Sequence, residues 1–113
     1  MKKDPIIFIE HIIDSIKNIE QFMKNVKKED FFKNKEKQSA VVRQIEIIGE
    51  AVKNLPEDFR NKHKDVPWKD IAGMRDKLMH HYFGVNLEIV WKTTKEDIPY
   101  LKLIISKIRK DLK

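Results

Sequence analysis

Arg75, His80 and Tyr82 stand together in the ten residues "MRDKLMHHYF" at 74–83, and their types suit the handling of a phosphodiester without a metal. An imidazole gives or takes a proton near neutral pH, while a guanidinium grips phosphoryl oxygens in a fork and stabilises the charge that grows on them. RNA brings its own nucleophile, the 2′-hydroxyl. On a helical wheel of about 100° per residue with Trp68 at the origin, Ile71, Ala72, Met74, Leu78, Met79, Tyr82 and Phe83 form an apolar half. Arg75 falls inside that half at about 340°, with Tyr82 beside it on the same face at about 320°. A guanidinium desolvated without a partner is costly, so Arg75 must be paired or must face a wet cleft. The pairing alternatives are a structural ion pair with Glu46 or Glu50, or a pair across a dimer interface. His80 lies about 140° from Arg75, near Asp76 on the edge of the polar half. The length of the arginine and a helix distortion before Gly84 would help to bridge that angle, and a cleft at a two-fold axis, with His80 of one chain facing Arg75 of another, is a further solution.

Other chemistries fit less well. Asp76 and His80 have the i, i+4 spacing of a chelating pair, but His80 and His81 diverge by about 100° on a helix, and two ligands make a weak metal site. No metal or cofactor is expected. His81 sits at the other edge of the apolar arc, as a packing or boundary residue; His11 and His63 carry no functional weight. The chain has no cysteine, which excludes disulfides and thiolate chemistry. No serine occupies a strand-to-helix elbow, and there is no glycine-rich phosphate loop. Lys and Arg number 24 against 18 Asp and Glu, a formal charge of +6, which favours polyanionic partners without choosing among them. The longest apolar run, "IIFI" at Ile6 to Ile9, is far short of a membrane span or a signal-peptide core, so a cytoplasmic location is expected.

The 113 residues suggest one domain over 1–113, built from helices. Asp4 and Pro5 open a long amphipathic helix whose stripe runs Ile9, Ile12, Ile13, Ile16, Ile19, Phe22, Met23 and Val26. The charged stretch from Lys24 to Lys37 reads as a turn or junction pinned by Phe31 and Phe32, with Ser39 or a residue just before it opening the next helix. On that helix Ala40, Val41, Val42, Ile45, Ile47, Ile48, Gly49, Ala51, Val52 and Leu55 form one arc, and Arg43, Glu46, Glu50 and Lys53 the other. A short turn at Glu57 to Phe59 comes next, and a third helix, restarted at Asp65 and Pro67, carries the unusual segment to a C-cap at Gly84. Asn86 caps a short helix "LEIVW", and Thr94 with Asp97 resembles a capping box before a last helix with Ile98, Leu101, Ile104, Ile105, Ile108 and Leu112. No alternating strand pattern or Asn-Gly turn appears, so the fold class is all-α, an antiparallel bundle of four to five helices.

Arg75, four residues, His80, one residue and Tyr82, set in "VPWKDIAGMRDKLMHHYFGVNLEIVW", resemble the R-x4-H-x-Y motif of the HepT-like toxins, a branch of the HEPN superfamily. The likeness extends through "VVRQIEIIGEAVKNLP" and "EDIPYL", with Trp68, Gly84 and Trp91, from about Val41 onward; the first helix agrees in pattern only. The resemblance implies an all-helical homodimer with a metal-independent endoribonuclease site between protomers, acting as the toxin of a type VII toxin–antitoxin pair. It implies an MntA-like nucleotidyltransferase antitoxin that AMPylates the motif tyrosine. Carried over by residue, Arg75 and His80 become the catalytic pair and Tyr82 the AMP acceptor, with Asp76 and His81 in support. His81 fills the motif's variable position and could be mistaken for the active imidazole. The competing class is a non-catalytic helical adaptor that binds a nucleotidyltransferase or nucleic acid, for which Lys102, Lys107, Arg109 and Lys110 beside Ile104, Ile105 and Ile108 would suit a partner helix. A core stripe with a solvated basic edge explains the same residues.

Overall fold

The computed structural model describes residues 4–80 and 84–112, and of Met79 and His80 the backbone alone. Helix α1 (Pro5–Met23) starts as its sequence dictates: Pro5 takes the first turn and the Asp4 carboxylate accepts the Ile6 N–H at 3.1 Å. Ile9, Ile12, Ile13, Ile16, Ile19 and Met23 are buried at spacings of three and four, along the face that packs on α3 and α8. The helix ends where Asn25 enters the left-handed region at φ 59°, leaving Val26 half-buried beyond it.

The charged stretch holds a short helix of its own, α2 (Lys28–Lys33), in place of the expected turn or junction. Phe31 pins it as predicted, fully buried with its ring 5.8 Å from that of Trp91. The Gln38 amide donates to the carbonyls of Phe31 and Phe32 at 2.9 and 3.1 Å, satisfying groups that a helix end leaves open. Helix α3 (Lys35–Asn54) begins earlier than Ser39, because Asn34 accepts the Lys37 N–H at 2.9 Å and is the true cap. Its residues Val41, Ile45, Ile48, Ala51 and Val52 are buried.

Helix α4 (Glu57–Lys62) replaces the expected short turn. Its Phe59 ring stacks 4.7 Å from His63 and 6.3 Å from Trp68, whose indole N–H donates to the His63 carbonyl at 3.0 Å. That clasp fixes the start of α5 (Trp68–Ala72), which follows Pro67 with no cap from Asp65. The single helix expected from here to Gly84 does not form. Gly73, at φ −90° and ψ 1°, separates α5 from α6 (Met74–Leu78). The chain then becomes extended as β1 (Met79–His80), antiparallel to β2 (Gly84–Val85), with Met79 opposite Val85 and His80 opposite Gly84. Gly84 has φ +82°, which favours glycine, and the Asn86 N–H donates to the Leu78 carbonyl at 2.7 Å. Gly84 therefore serves a hairpin, not a helix C-cap.

Asn86 caps α7 (Leu87–Lys92) as expected, accepting the Ile89 N–H at 3.2 Å. Asn86→Ala should cost about 1 kcal/mol, read as a lower urea midpoint at unchanged m. Thr94 does not act as a capping box. A π turn over Thr93–Asp97 joins α7 to α8 (Ile98–Leu112), with the Ile98 N–H reaching back to the Thr93 carbonyl. The Thr93 and Thr94 hydroxyls donate to the carbonyls of Ile89 and Trp91 at 2.8 and 2.7 Å. The wide turn also lies just ahead of Pro99, which has no N–H to give and would press on a preceding carbonyl in a regular helix. On α8 Ile98, Leu101, Ile105 and Ile108 are buried, Ile104 is half-buried and Leu112 is exposed. The fold is all-α apart from the small hairpin; the four to five expected helices are subdivided by α2, α4 and the break at Gly73. Among the described residues no helix is long and apolar enough to cross a membrane.

Candidate active site

The polar face of α3 and the α5–α6 segment enclose an open cleft of about 470 Å³, lined by Arg43, Glu46, Gly49, Glu50, Lys53, Ala72, Arg75 and Asp76. Arg43, Glu46, Glu50 and Lys53 are the residues that the wheel placed opposite the core on α3, so the solvated arc of that helix is one wall of the cleft. Gly49 brings the other wall close. A Cβ there would lie 3.2 Å from the Ala72 carbonyl oxygen, so a larger residue would have to push the two backbones a few tenths of an ångström apart.

Arg75 projects from α6 into this cleft, and its Nε–H donates to Glu46 Oε2 at 2.8 Å. Of the readings open from sequence, the ion pair with Glu46 is the one present, and it lies at the surface: about half of the Arg75 side chain is exposed. The wheel's placement of Arg75 inside an apolar arc is overturned, because the wheel assumed one unbroken helix through Gly73. Nη1 lies 3.8 Å from Asp76 Oδ1, an ion-pair separation beyond hydrogen-bond range. Among the described residues, neither Nη group has a hydrogen-bond partner. The hydrogen bond to Glu46, and then the charge of that carboxylate, hold the guanidinium further above its already high pKa, so Arg75 is a permanent cation.

Asp76 is strongly exposed and lies beside Arg75 at the cleft. His80 belongs to β1, just past the end of α6, with its backbone paired to Gly84; the direction of its imidazole is not among the described features. His81 and Tyr82 lie outside the described residues. Since the helix ends at Leu78, the angles that the wheel gave between Arg75, His80 and Tyr82 do not apply. With them goes the reason for bringing His80 from a second chain to bridge about 140°. The joint role of Glu46 and Gly49 is not visible in the sequence. Their spacing of three on α3 can be read there, but that it matches the spacing of Arg75 and Ala72 on the opposing wall is a tertiary fact.

Chemically, the cleft offers a fixed guanidinium with open donors, next to a segment that carries an imidazole. Its cations Arg43, Lys53 and Arg75 are balanced by Glu46, Glu50 and Asp76.

A family model described as "Ribonuclease HepT-like" matches residues 12–108. The chain is 51% identical over 112 residues to "Gamma-glutamylcyclotransferase and putative RNase" of Methanocaldococcus jannaschii, with 99% of this chain and 50% of that protein aligned; the chain thus spans half the length of that relative. It is 49% identical over 110 residues to "Probable ribonuclease HepT" of Thermococcus cleftensis, covering 97% of this chain and 100% of the relative. It is 50% identical over 106 residues to a "Putative RNase" of Caldanaerobacter subterraneus subsp. tengcongensis, covering 94% and 95%. No solved structure matches the chain. An all-α chain matched over most of its length, both by the family model and by relatives at about half identity, belongs to the HepT-like ribonuclease family.

Proposed function

We propose that the protein is a metal-independent endoribonuclease that cuts RNA by transesterification, with Arg75 and His80 as its catalytic residues. The 2′-oxygen attacks phosphorus while its proton passes to a base, the bond from phosphorus to the 5′-oxygen breaks, and an acid protonates the leaving oxygen. The products are a 2′,3′-cyclic phosphate and a 5′-hydroxyl. His80 serves as general base or general acid, and Arg75 holds the phosphoryl oxygens as charge builds on them. The observation that carries this reading is the Arg75 guanidinium, tethered to Glu46 through Nε, with no hydrogen-bond partner at either Nη group among the described residues and with Nη1 facing Asp76 at 3.8 Å, in an open cleft.

Family membership supports the rest of the reading: one domain over 1–113, working as a homodimer in the cytoplasm as the toxin of a toxin–antitoxin pair. An MntA-like nucleotidyltransferase antitoxin silences it by placing AMP on Tyr82, a modification that adds negative charge and bulk two residues from His80 in the sequence. Asp76 and His81 support the site.

Purified protein incubated with RNA in EDTA should cleave it and leave cyclic phosphate ends, and His80→Ala should not; separate asparagine and alanine substitutions at His80 and His81 assign the imidazole. Cleavage that needs added Mg²⁺ would defeat the proposed chemistry. Co-expression with a neighbouring nucleotidyltransferase gene should add mass in AMP units mapped to Tyr82. Tyr100 is well exposed on α8 and open to modification, so an adduct there instead of on Tyr82 would refute the switch. The balanced charges of the cleft favour the competing reading of a non-catalytic adaptor, under which wild type and His80→Ala behave alike towards RNA.

A further inference from the structure

We propose that Glu46 is a positioning residue for Arg75, set within reach by the glycine contact one turn along α3; the inference rests on the reading that Arg75 engages an RNA phosphate. Two matched pairs face each other across the cleft. Gly49 approaches Ala72 so closely that an added Cβ would stand 3.2 Å from its carbonyl oxygen. Three residues along each wall, Glu46 Oε2 meets Arg75 Nε at 2.8 Å.

A guanidinium is planar and presents its five N–H groups in a rigid fork. Fixing Nε therefore fixes the plane and leaves the paired Nη groups as the end that faces two phosphoryl oxygens. Glu46 also places a negative charge beside a site meant for an anion, which opposes RNA binding. Orientation and charge can be separated by substitution. Glu46→Gln keeps an oxygen that can accept from Nε and removes the charge. Glu46→Ala removes both, and Gly49→Ala leaves the carboxylate intact but moves the walls apart.

The test is steady-state cleavage of one RNA by wild type, Glu46→Gln, Glu46→Ala and Gly49→Ala, with Arg75→Ala as the control and the Arg75 Nε–H resonance followed by ¹⁵N NMR. Glu46→Gln should keep kcat within about twofold and lower KM, by a margin that shrinks as salt rises. Glu46→Ala and Gly49→Ala should lower kcat about tenfold through misorientation. The Nε–H signal should persist in Glu46→Gln and average towards that of a free arginine in the two alanine variants. An Nε–H signal unchanged in Glu46→Ala overturns the inference, whether or not any variant cleaves RNA. So do variants that lose only thermal stability while kcat and KM stay put, which marks a structural ion pair. Faster cleavage by both Glu46 variants also overturns it, marking a carboxylate that competes with RNA. Wild type and Arg75→Ala cleaving equally would instead refute the phosphate reading itself, with the NMR result still deciding the role of Glu46.

Discussion

Arg75→Ala is expected to lower kcat/KM for RNA by about 10²–10³-fold, the range seen when one preorganised donor to a developing oxyanion is removed. His80→Ala should lower it by about 10²–10⁴-fold, as the loss of a general acid or base does. Folding should survive the first change, because the Arg75–Glu46 pair is half exposed on the arginine side and solvent-exposed pairs add little to stability. Activity lost with the thermal midpoint nearly retained is thus the diagnostic pattern, and equal losses of both would point to a fold defect. Arg75→Lys keeps the charge but lacks the planar fork, so it should recover only part of the activity. The sign of the pH response follows from the raised pKa of Arg75. A cation whose folded pKa is raised keeps its stabilising interaction below the unfolded value and loses it as pH rises through the folded one. For arginine that window lies in strongly alkaline solution, far above the physiological range. Any rise or fall in cleavage between pH 5 and 9 therefore belongs to another group, and should vanish with the imidazole in a single-turnover profile.

Phe31→Ala should cost about 3–5 kcal/mol of stability, the range for emptying a large aromatic site in a packed core. Phe31 is fully buried, edges onto Phe32 and meets Trp91, so it ties the short α2 to α7 across the bundle. A total stability of about 5–15 kcal/mol is usual for a domain, so the variant should sit near the limit of folding at 37 °C. Urea titration of both proteins checks this, with a lower midpoint expected at similar m. A midpoint within about 1 kcal/mol of wild type would mean that α2 is held chiefly by its backbone ties to Gln38.

The parts of the fold legible in the sequence are those fixed by repeated burial. The stripes of α1, α3 and α8 recur at helical spacing, and Ile9 through Met23, Val41 through Val52 and Ile98 through Ile108 are buried where that spacing puts them. Caps are legible where a single short-range bond decides them, as at Asp4 and Asn86. Asn34 escapes such a reading because it stands in a charged run with no apolar rhythm to mark the coming helix. The stretch around His80 misleads for a different reason. Its local preference is helical, two-residue strands are too short to alternate, and the hairpin is closed by Gly84 and by the Asn86–Leu78 bond. For the site, the motif residues and the carboxylate candidates are visible in the sequence, while the choice of Glu46 over Glu50 depends on how near Gly49 lets two helices come.

The π turn at Thr93–Asp97 gives the α7–α8 rod one place where its length can change. A π turn takes up about one residue more than the α-helical turn it replaces, so a single deletion inside it would leave the flanking stripes in phase. The same deletion two turns later would advance the remainder of the helix by about 100°, swinging Arg109 towards the place that Ile108 holds in the core. Pro99 limits this freedom, since a shortened turn would confront its ring with a carbonyl that the wide turn avoids. Lineages that differ in length along this rod should therefore carry their gap at the bulge, together with a change at the proline.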